Sequence, residues 1–314
     1  MHTDHAPSLL ATTSISVLLG CAVWMTIGAV LRLSYPLVQR RVLTLTGRHR
    51  ANLLLALQCL PAALAVCTVT LMYSPLGAQL LVSPHCHEAM GCGAHAPTAT
   101  LARHDHWLIA IAVMPVLLAA WRLVQAVTSH QRRRHQLTLL TGPKRFDDCL
   151  IIDSADAIAF TFGLLRPRTY LSQGLVDGLD APQLQAVIAH ERAHCQRRDG
   201  LRRFAVHLLS VPGHRSSRMA TDWHDALEHA ADEIASVGGV SSMAQALICS
   251  HRLRPEGVGG DHGLEARIGN LLHPRVERLL DRWLPVLSLI AVPIIAVISV
   301  DSGHALLDWL LGHL

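Results

Sequence analysis

The chain has 314 residues, of which 51% are hydrophobic and only 4% aromatic, and its mean hydropathy is +0.33. This composition excludes an ordinary soluble enzyme and indicates membrane-spanning helices joined to one modest domain. The net charge is only +4 with histidine counted as neutral, and no direct nucleic-acid partner is expected.

Four stretches with few or no charges are candidates for crossing a hydrocarbon core of about 30 Å. They are residues 8–31, 53–82, 107–127 and 283–300. The sequence therefore predicts four transmembrane helices in a lipid bilayer. A buried core helix is the alternative for each stretch, and more so for the last two, which are shorter or contain an arginine.

The arginines indicate how these spans are oriented. Five lie between the first two spans, residues 132–134 follow the third, only Arg103 lies in the loop 83–106, and none follows Arg282. Basic residues concentrate on the cytoplasmic side of a membrane. We therefore predict a multi-pass protein of the bacterial inner membrane. Both termini lie outside, and residues from about 130 to 282 lie in the cytoplasm.

The predicted outer loop is rich in histidine and cysteine. In an oxidising compartment, Cys86 and Cys92 are candidates for a small disulfide. The surrounding histidines also permit metal sensing, although the whole chain contains 21 histidines. Both interpretations stay open.

The cytoplasmic part begins with three short runs typical of strands, at residues 149–153, 157–163 and 168–172. A peptidase needs an exposed edge strand that holds the substrate backbone extended. The candidate for that strand is Phe160, Thr161, Phe162 and Gly163. The alternative is an inner strand paired on both sides.

Residues 187–195 contain the pattern His-Glu-x-x-His and follow Asp180 and Pro182, which are typical of a helix start. Residues four apart share one face of a helix, so His190 and His194 can bind one zinc ion. Glu191 then lies beside the metal as a general base that takes a proton from the attacking water.

A third zinc ligand is expected from a second helix. Glu228 and Asp232 lie four residues apart in a run of good helix formers. We interpret Glu228 as the ligand and Asp232 as the acceptor that orients a ligand histidine. This predicts one Zn²⁺ per chain, and a solvated acidic helix face is the alternative.

Residues 162–172 and 184–199, together with Glu228-x-x-x-Asp232, resemble the BlaR/MecR family of integral-membrane zinc peptidases. The resemblance implies a cytoplasmic peptidase domain between the third and fourth spans that cleaves a repressor, or itself, after a signal. It assigns His190, His194 and Glu228 to zinc, Glu191 to general-base catalysis and Asp232 to support.

The antibiotic-sensing members carry a penicillin-binding domain after the last span, whereas only residues 301–314 follow here. Recognition of β-lactams is therefore not expected. CAAX prenyl proteases and HtpX-like proteins share both motifs. However, only 33 residues separate His194 from Glu228, and residues 204–211 are too short for a spanning hairpin. Residues 273–278 resemble a late motif of those neighbours, with Arg278 as a candidate site contact.

The predicted fold is a mostly α membrane protein with four transmembrane helices and a small α+β, zincin-like (gluzincin) domain. Its parts are residues 1–130, 131–282 and 283–314. The predicted function is zinc-dependent cleavage of a cytoplasmic protein, of the transcriptional-repressor type, in signal-triggered proteolysis. The alternatives are a housekeeping quality-control protease and a non-enzymatic metal sensor or receptor. By residue type alone, the candidates for stabilising the oxyanion are Tyr170, His214, His224 and Arg278.

Overall fold

The computed structural model describes most of the chain as helix, with two small sheets. The residues described are 9–74, 85–87, 91–93, 106–214, 217–253, 262–275, 281, 283, 284, 286, 287, 290, 294–297, 300 and 305.

Three long helices come first: α1 (Leu9–Val42), α2 (Gly47–Tyr73) and α3 (His106–Leu140). Each is long and apolar enough to cross a membrane, over Thr12–Val42, Gly47–Tyr73 and Ile109–Leu140. The first predicted span lies within α1 from Leu9 onward, and the third lies within α3. The second was predicted to reach residue 82, but Ser74 is already extended, because a residue before proline disfavours helical backbone. Residues 75–84 lie outside the described part.

The predicted fourth span stays a prediction. Each described residue between 281 and 305 is helical, but the three helices above are the spans identified among the described residues. The predicted domain boundary at residue 130 falls inside α3. That helix continues to Leu140 because residues 116–140 contain no glycine or proline.

A hairpin of β1 (His85–His87) and β2 (Gly91–Gly93) lies in the predicted outer loop. Its register places the Cys86 backbone opposite that of Cys92. The structure describes only the backbone here, so the disulfide stays a prediction.

The main sheet contains β3 (Thr141–Phe146), β4 (Cys149–Ile152), β5 (Ala159–Phe162) and β6 (Arg168–Ser172), in the order β3-β4-β6-β5. β4 and β6 are parallel, and the other pairs are antiparallel. All three predicted strands are present, and β5 lies at one edge. β3 was not predicted, since Gly142 and Pro143 are typical of turns. Its register with β4 is irregular, and Asp147 and Asp148 close the turn with φ of 47° and 64°.

Six helices complete the described domain, and helix α5 carries the His-Glu-x-x-His pattern. The helices are α4 (Gln173–Gly178), α5 (Ala181–Arg197), α6 (Asp199–Leu209), α7 (Arg218–Ala235), α8 (Val240–Arg252) and α9 (His262–Leu272). The Asp180 side chain accepts a hydrogen bond from Gln183 N at 2.8 Å and so starts α5 with a capping box. Arg198 ends the helix in the left-handed conformation, with φ of 53°.

Two apolar clusters fix α5 and α7 in position. The buried side chains of Val187 and Ile188 on α5 pack with Leu171 of β6 and Met243 of α8. On α7, Trp223, Ala226 and Leu227 pack against Ala51 and Leu54 of α2. Burying one such large apolar side chain stabilises the fold by about 1.5–3 kcal/mol. Helix α7 is therefore held between α5 and α2.

Candidate metal centre

Three potential metal ligands converge between α5 and α7. His190 Nε2 lies 3.2 Å from His194 Nε2 and 3.5 Å from Glu228 Oε2. His194 Nε2 lies 3.7 Å from Glu228 Oε1. Ligands of a tetrahedral zinc ion lie about 3.3 Å apart. The donor set therefore fits one such ion, and both imidazoles are buried while the Glu228 side chain is 33% exposed to the cleft.

The two imidazoles are oriented by carboxylates behind them. His190 Nδ1 lies 2.8 Å from Asp232 Oδ1, and His194 Nδ1 lies 2.7 Å from Asp199 Oδ2. The hydrogen bond to Asp199 keeps the His194 proton on Nδ1 and leaves Nε2 as the electron-pair donor, and Asp232 lies where it can do the same for His190. The role of Asp199 was not foreseen from the sequence. It follows the left-handed turn at Arg198, and the only signal is an acidic residue just beyond the helix.

A partly buried arginine completes the group. Arg267 Nε donates to Asp232 Oδ2 at 2.7 Å, and its Nη2 donates to Oδ1 at 2.6 Å. Its Nη1 lies 3.7 Å from Glu228 Oε2. Arg267 lies on α9, and no local pattern points to it. The predicted contact Arg278 lies outside the described residues.

The electrostatics favour a bound cation. Burial lowers the pKa of His194, but contacts with Asp199 and Glu228 outweigh it and raise that pKa to about 9. The pKa of His190 is also raised, because Asp232 and Glu228 outweigh the effect of burial. Burial raises the pKa of Glu228, but both histidines outweigh it and hold that pKa well below its usual range. A metal ion would replace the protons that this cluster attracts.

Glu191 is fixed beside the edge strand. The Thr161 hydroxyl lies 2.9 Å from Glu191 Oε2 and 2.9 Å from the Glu191 carbonyl oxygen, and it donates to one of them at a time. Cys195 Sγ lies 3.6 Å from the hydroxyls of Thr161 and Thr169, so it faces the sheet and not the ligands. The strand predicted to hold substrate and the predicted base are therefore in direct contact.

The ligands open onto a cleft of about 230 Å³, lined on one side by Ala159, Phe160 and Thr161 of β5. Phe162 and Gly163 line neighbouring cavities instead.

Three predicted oxyanion candidates are not brought to this cleft. Tyr170 stacks on Phe160 at 5.2 Å between ring centroids, His214 Nε2 lies 2.6 Å from Gln58 Oε1 of α2, and His224 is exposed on α7. The cationic side chains that do line the cleft are Arg203 and Arg267. Residue type alone does not specify position, so these three side chains lie elsewhere, and the oxyanion donor stays unassigned.

The donor set and the three apolar helices together indicate a membrane-associated metallopeptidase. In agreement, the model of peptidase family M48 matches residues 104–250, from the start of α3 to α8, and includes all three donors. This match supports a metallopeptidase of that family and does not distinguish the predicted BlaR/MecR type. Searches of curated proteins and of solved structures gave no match.

Proposed function

We propose that this protein is a membrane-embedded, zinc-dependent endopeptidase that cleaves a cytoplasmic protein. The observation that carries the proposal is the arrangement around α5. His190, His194 and Glu228 offer three ligand atoms within 4.8 Å of one another, and Glu191 lies beside them against an edge strand. The three side chains would hold one Zn²⁺ and leave a coordination position for water.

When bound, zinc would polarise the scissile carbonyl and acidify a water molecule. Glu191 would accept a proton from that water at the carboxylate that Thr161 contacts, and would then deliver it to the leaving amine. Asp199 and Asp232 would hold the imidazoles in the metal-binding tautomer. Arg267 would keep the Asp232 carboxylate ionised, since it donates to both oxygens.

The substrate would bind as an added strand along β5. Its backbone would pair with the free edge, which demands little of the substrate side chains. This pairing would extend the peptide across Thr161 and bring one bond next to Glu191. The cleft also contains an apolar wall that includes Leu175, Val187 and Met243, which suits an apolar side chain next to the cleaved bond.

We propose that the site lies on the cytoplasmic side of the bacterial inner membrane. We also propose that residues 283–300 form a fourth membrane span. The distribution of arginines supports this orientation, since exposed residues 132–134 continue α3 beyond its apolar stretch. A regulatory, repressor-type substrate in a BlaR/MecR-like, signal-triggered process remains the proposed role. It rests on the motifs at residues 162–172 and 184–199.

Two other roles make different demands on the site. A structural zinc site in a sensor would need four protein ligands. Among the described residues, no cysteine lies beside the three donors as a fourth ligand, because the Cys195 side chain faces the sheet. A housekeeping protease would share the same chemistry and differ in having many substrates.

The test compares the purified full-length chain with Glu191→Gln and Glu228→Gln. We expect Glu191→Gln to retain one zinc and lose cleavage of an unfolded protein substrate, and Glu228→Gln to lose both. Full cleavage by Glu191→Gln would contradict the proposal. Proteins trapped by Glu191→Gln in cells would then separate one preferred regulatory client from the many clients of a housekeeping protease.

A further inference from the structure

Two further cavities lie beyond the metal cleft, at the carboxyl end of β5. Their volumes are about 440 and 760 Å³. Both are lined by His130 of α3 and by Phe162, Gly163 and Leu164, and the His130 ring stacks on Phe162 at 4.7 Å between centroids. The smaller cavity shares Thr161 and Arg203 with the metal cleft. A chain lying along β5 would therefore pass from the metal site into this region, called here the basic groove.

The charge of the basic groove is of one sign. Arg133 and Arg203 line the smaller cavity, and Arg134, Arg166 and Arg168 line the larger one. No aspartate or glutamate lines either cavity among the residues that the structure describes. Arg203 already donates to Glu228 Oε1 at 3.3 Å. The other four arginines pair with no acidic side chain among the described residues. Carboxylates that enter the groove would therefore meet their positive charge, and guanidinium groups bind carboxylates with two parallel hydrogen bonds.

The other end of β5 differs in character. There the cleft has an apolar wall formed by Ala157, Leu175, Met243 and Leu247. The charged residues that line this cleft are those of the metal site together with Arg203 and Arg267. A peptide on β5 would thus place an apolar part at one end and a charged part at the other. The positive charge of the basic groove therefore acts only on the segment of the peptide that lies near Phe162.

The direction of the peptide follows from strand pairing. Antiparallel pairs outnumber parallel pairs roughly two- to three-fold and are slightly more stable. In an antiparallel arrangement, the amino-terminal part of the peptide lies beside Phe162 and the carboxyl-terminal part beside Ala159. Strand residues rise about 3.3 Å each, so the groove begins within about four residues of the bond next to Glu191.

Resting on the proposed function, we infer that the site selects polypeptides with acidic residues about two to five positions before the cleaved bond. The recognition would come from Arg133, Arg134, Arg166 and Arg168, which are exposed. An anionic lipid headgroup is the competing ligand, because Arg133 and Arg134 lie in the last turns of a helix that could cross a membrane. The peptide is favoured since Arg166 and Arg168 lie on the sheet side and the groove is continuous with the metal cleft.

The experiment uses the zinc-loaded full-length protein and matched peptides that differ only at these positions. One carries Glu and Asp, the second carries Gln and Asn, and the third carries its acids after the cleaved bond. Mass spectrometry of the products locates the cleavage. We expect kcat/KM for the first peptide to exceed that for the other two about tenfold, which corresponds to ~1.4 kcal/mol.

Two double variants test the arginines separately: R133Q/R134Q on the helix and R166Q/R168Q beside the sheet. Each should reduce the acidic-over-neutral ratio. Arg145→Gln is the matched control, because Arg145 is exposed on β3 and lines neither cavity. It should leave the ratio unchanged. Equal kcat/KM values for all three peptides, or ratios that neither double variant changes, would overturn the inference.

Peptide binding to the Glu191→Gln variant, followed by fluorescence anisotropy, separates the two proposals. Preferential binding of the first peptide without cleavage of any peptide by the wild type would reject the proposed function and keep the inference. Nanodiscs of neutral and of anionic phospholipid supply the last comparison. R133Q/R134Q could change only how strongly kcat/KM depends on anionic lipid and leave the acidic-over-neutral peptide ratio unaffected. In that case the groove binds headgroups and the inference fails.

Discussion

Replacing Asp199 by Asn should weaken zinc binding without removing any of the three ligands. Asp199 is buried, with 2% of its surface exposed, and its Oδ2 lies 2.7 Å from His194 Nδ1 and 3.4 Å from Arg197 Nε. In Asn, the single oxygen would be drawn to the arginine, and the amide NH₂ would turn to His194. The imidazole proton would then move to Nε2, the atom that has to bind the metal.

Loss of such an orienting contact typically costs 10- to 100-fold in metal affinity, so we expect an increase of about that size in the zinc Kd, or ~1.4–2.7 kcal/mol. The assay is competition with a chelator of known affinity, at fixed pH, on the full-length protein. Asp177→Asn is the matched control, because Asp177 is exposed on α4. An unchanged zinc affinity in Asp199→Asn would refute the proposed role of the carboxylate.

Three other changes probe different contacts. Thr161→Val removes a hydrogen bond to the Glu191 carboxylate. Because such bonds to charged groups contribute about 1.5–3 kcal/mol, kcat should fall about 10- to 100-fold while the zinc affinity stays unchanged. An equal loss of kcat and of zinc affinity would contradict this role. Arg267→Met removes both hydrogen bonds that the arginine donates to the buried Asp232 carboxylate and leaves only His190 Nδ1 beside it. This change should destabilise the metal-free protein by about 3 kcal/mol, seen as a lower Tm, and an unchanged Tm would count against it. Since the pKa of His194 is raised to about 9, the stability that its protonation contributes is complete below its unfolded pKa of about 6.5 and is lost as pH rises towards 9. The increase in Tm that zinc produces should therefore become larger as the pH rises from about 6.5 to 9. A smaller increase at the higher pH would contradict the assignment of His194 as a zinc ligand.

The local parts of this molecule were predictable from the sequence. The spacing of His190, His194 and Glu228-x-x-x-Asp232 depends only on helix geometry, and the structure brings these side chains together. The start of α5 at Asp180 also follows from neighbouring residues, since the capping box is formed within four positions. Short apolar runs likewise located three of the strands.

Contacts between distant residues could not be predicted in this way. Helix α2 begins at Gly47, six residues before the predicted span, because Glu233 of α7 accepts a hydrogen bond from Gly47 N at 2.6 Å. A side chain at position 47 would lie 2.7 Å from the Ala230 backbone nitrogen, so the close approach requires glycine. Arg267 reaches Asp232 from another helix by tertiary packing alone. Neither contact leaves a periodic pattern in the sequence.

X-ray absorption spectroscopy of the zinc-loaded full-length protein tests the metal site most directly. We predict a first coordination shell of nitrogen and oxygen at about 2.0–2.1 Å, with two imidazoles, one carboxylate and one exchangeable water. Glu228→Gln should fail to retain zinc, so its spectrum should show no protein-bound zinc. A sulfur ligand at about 2.3 Å, or four protein ligands with no bound water, would contradict the proposed hydrolytic site.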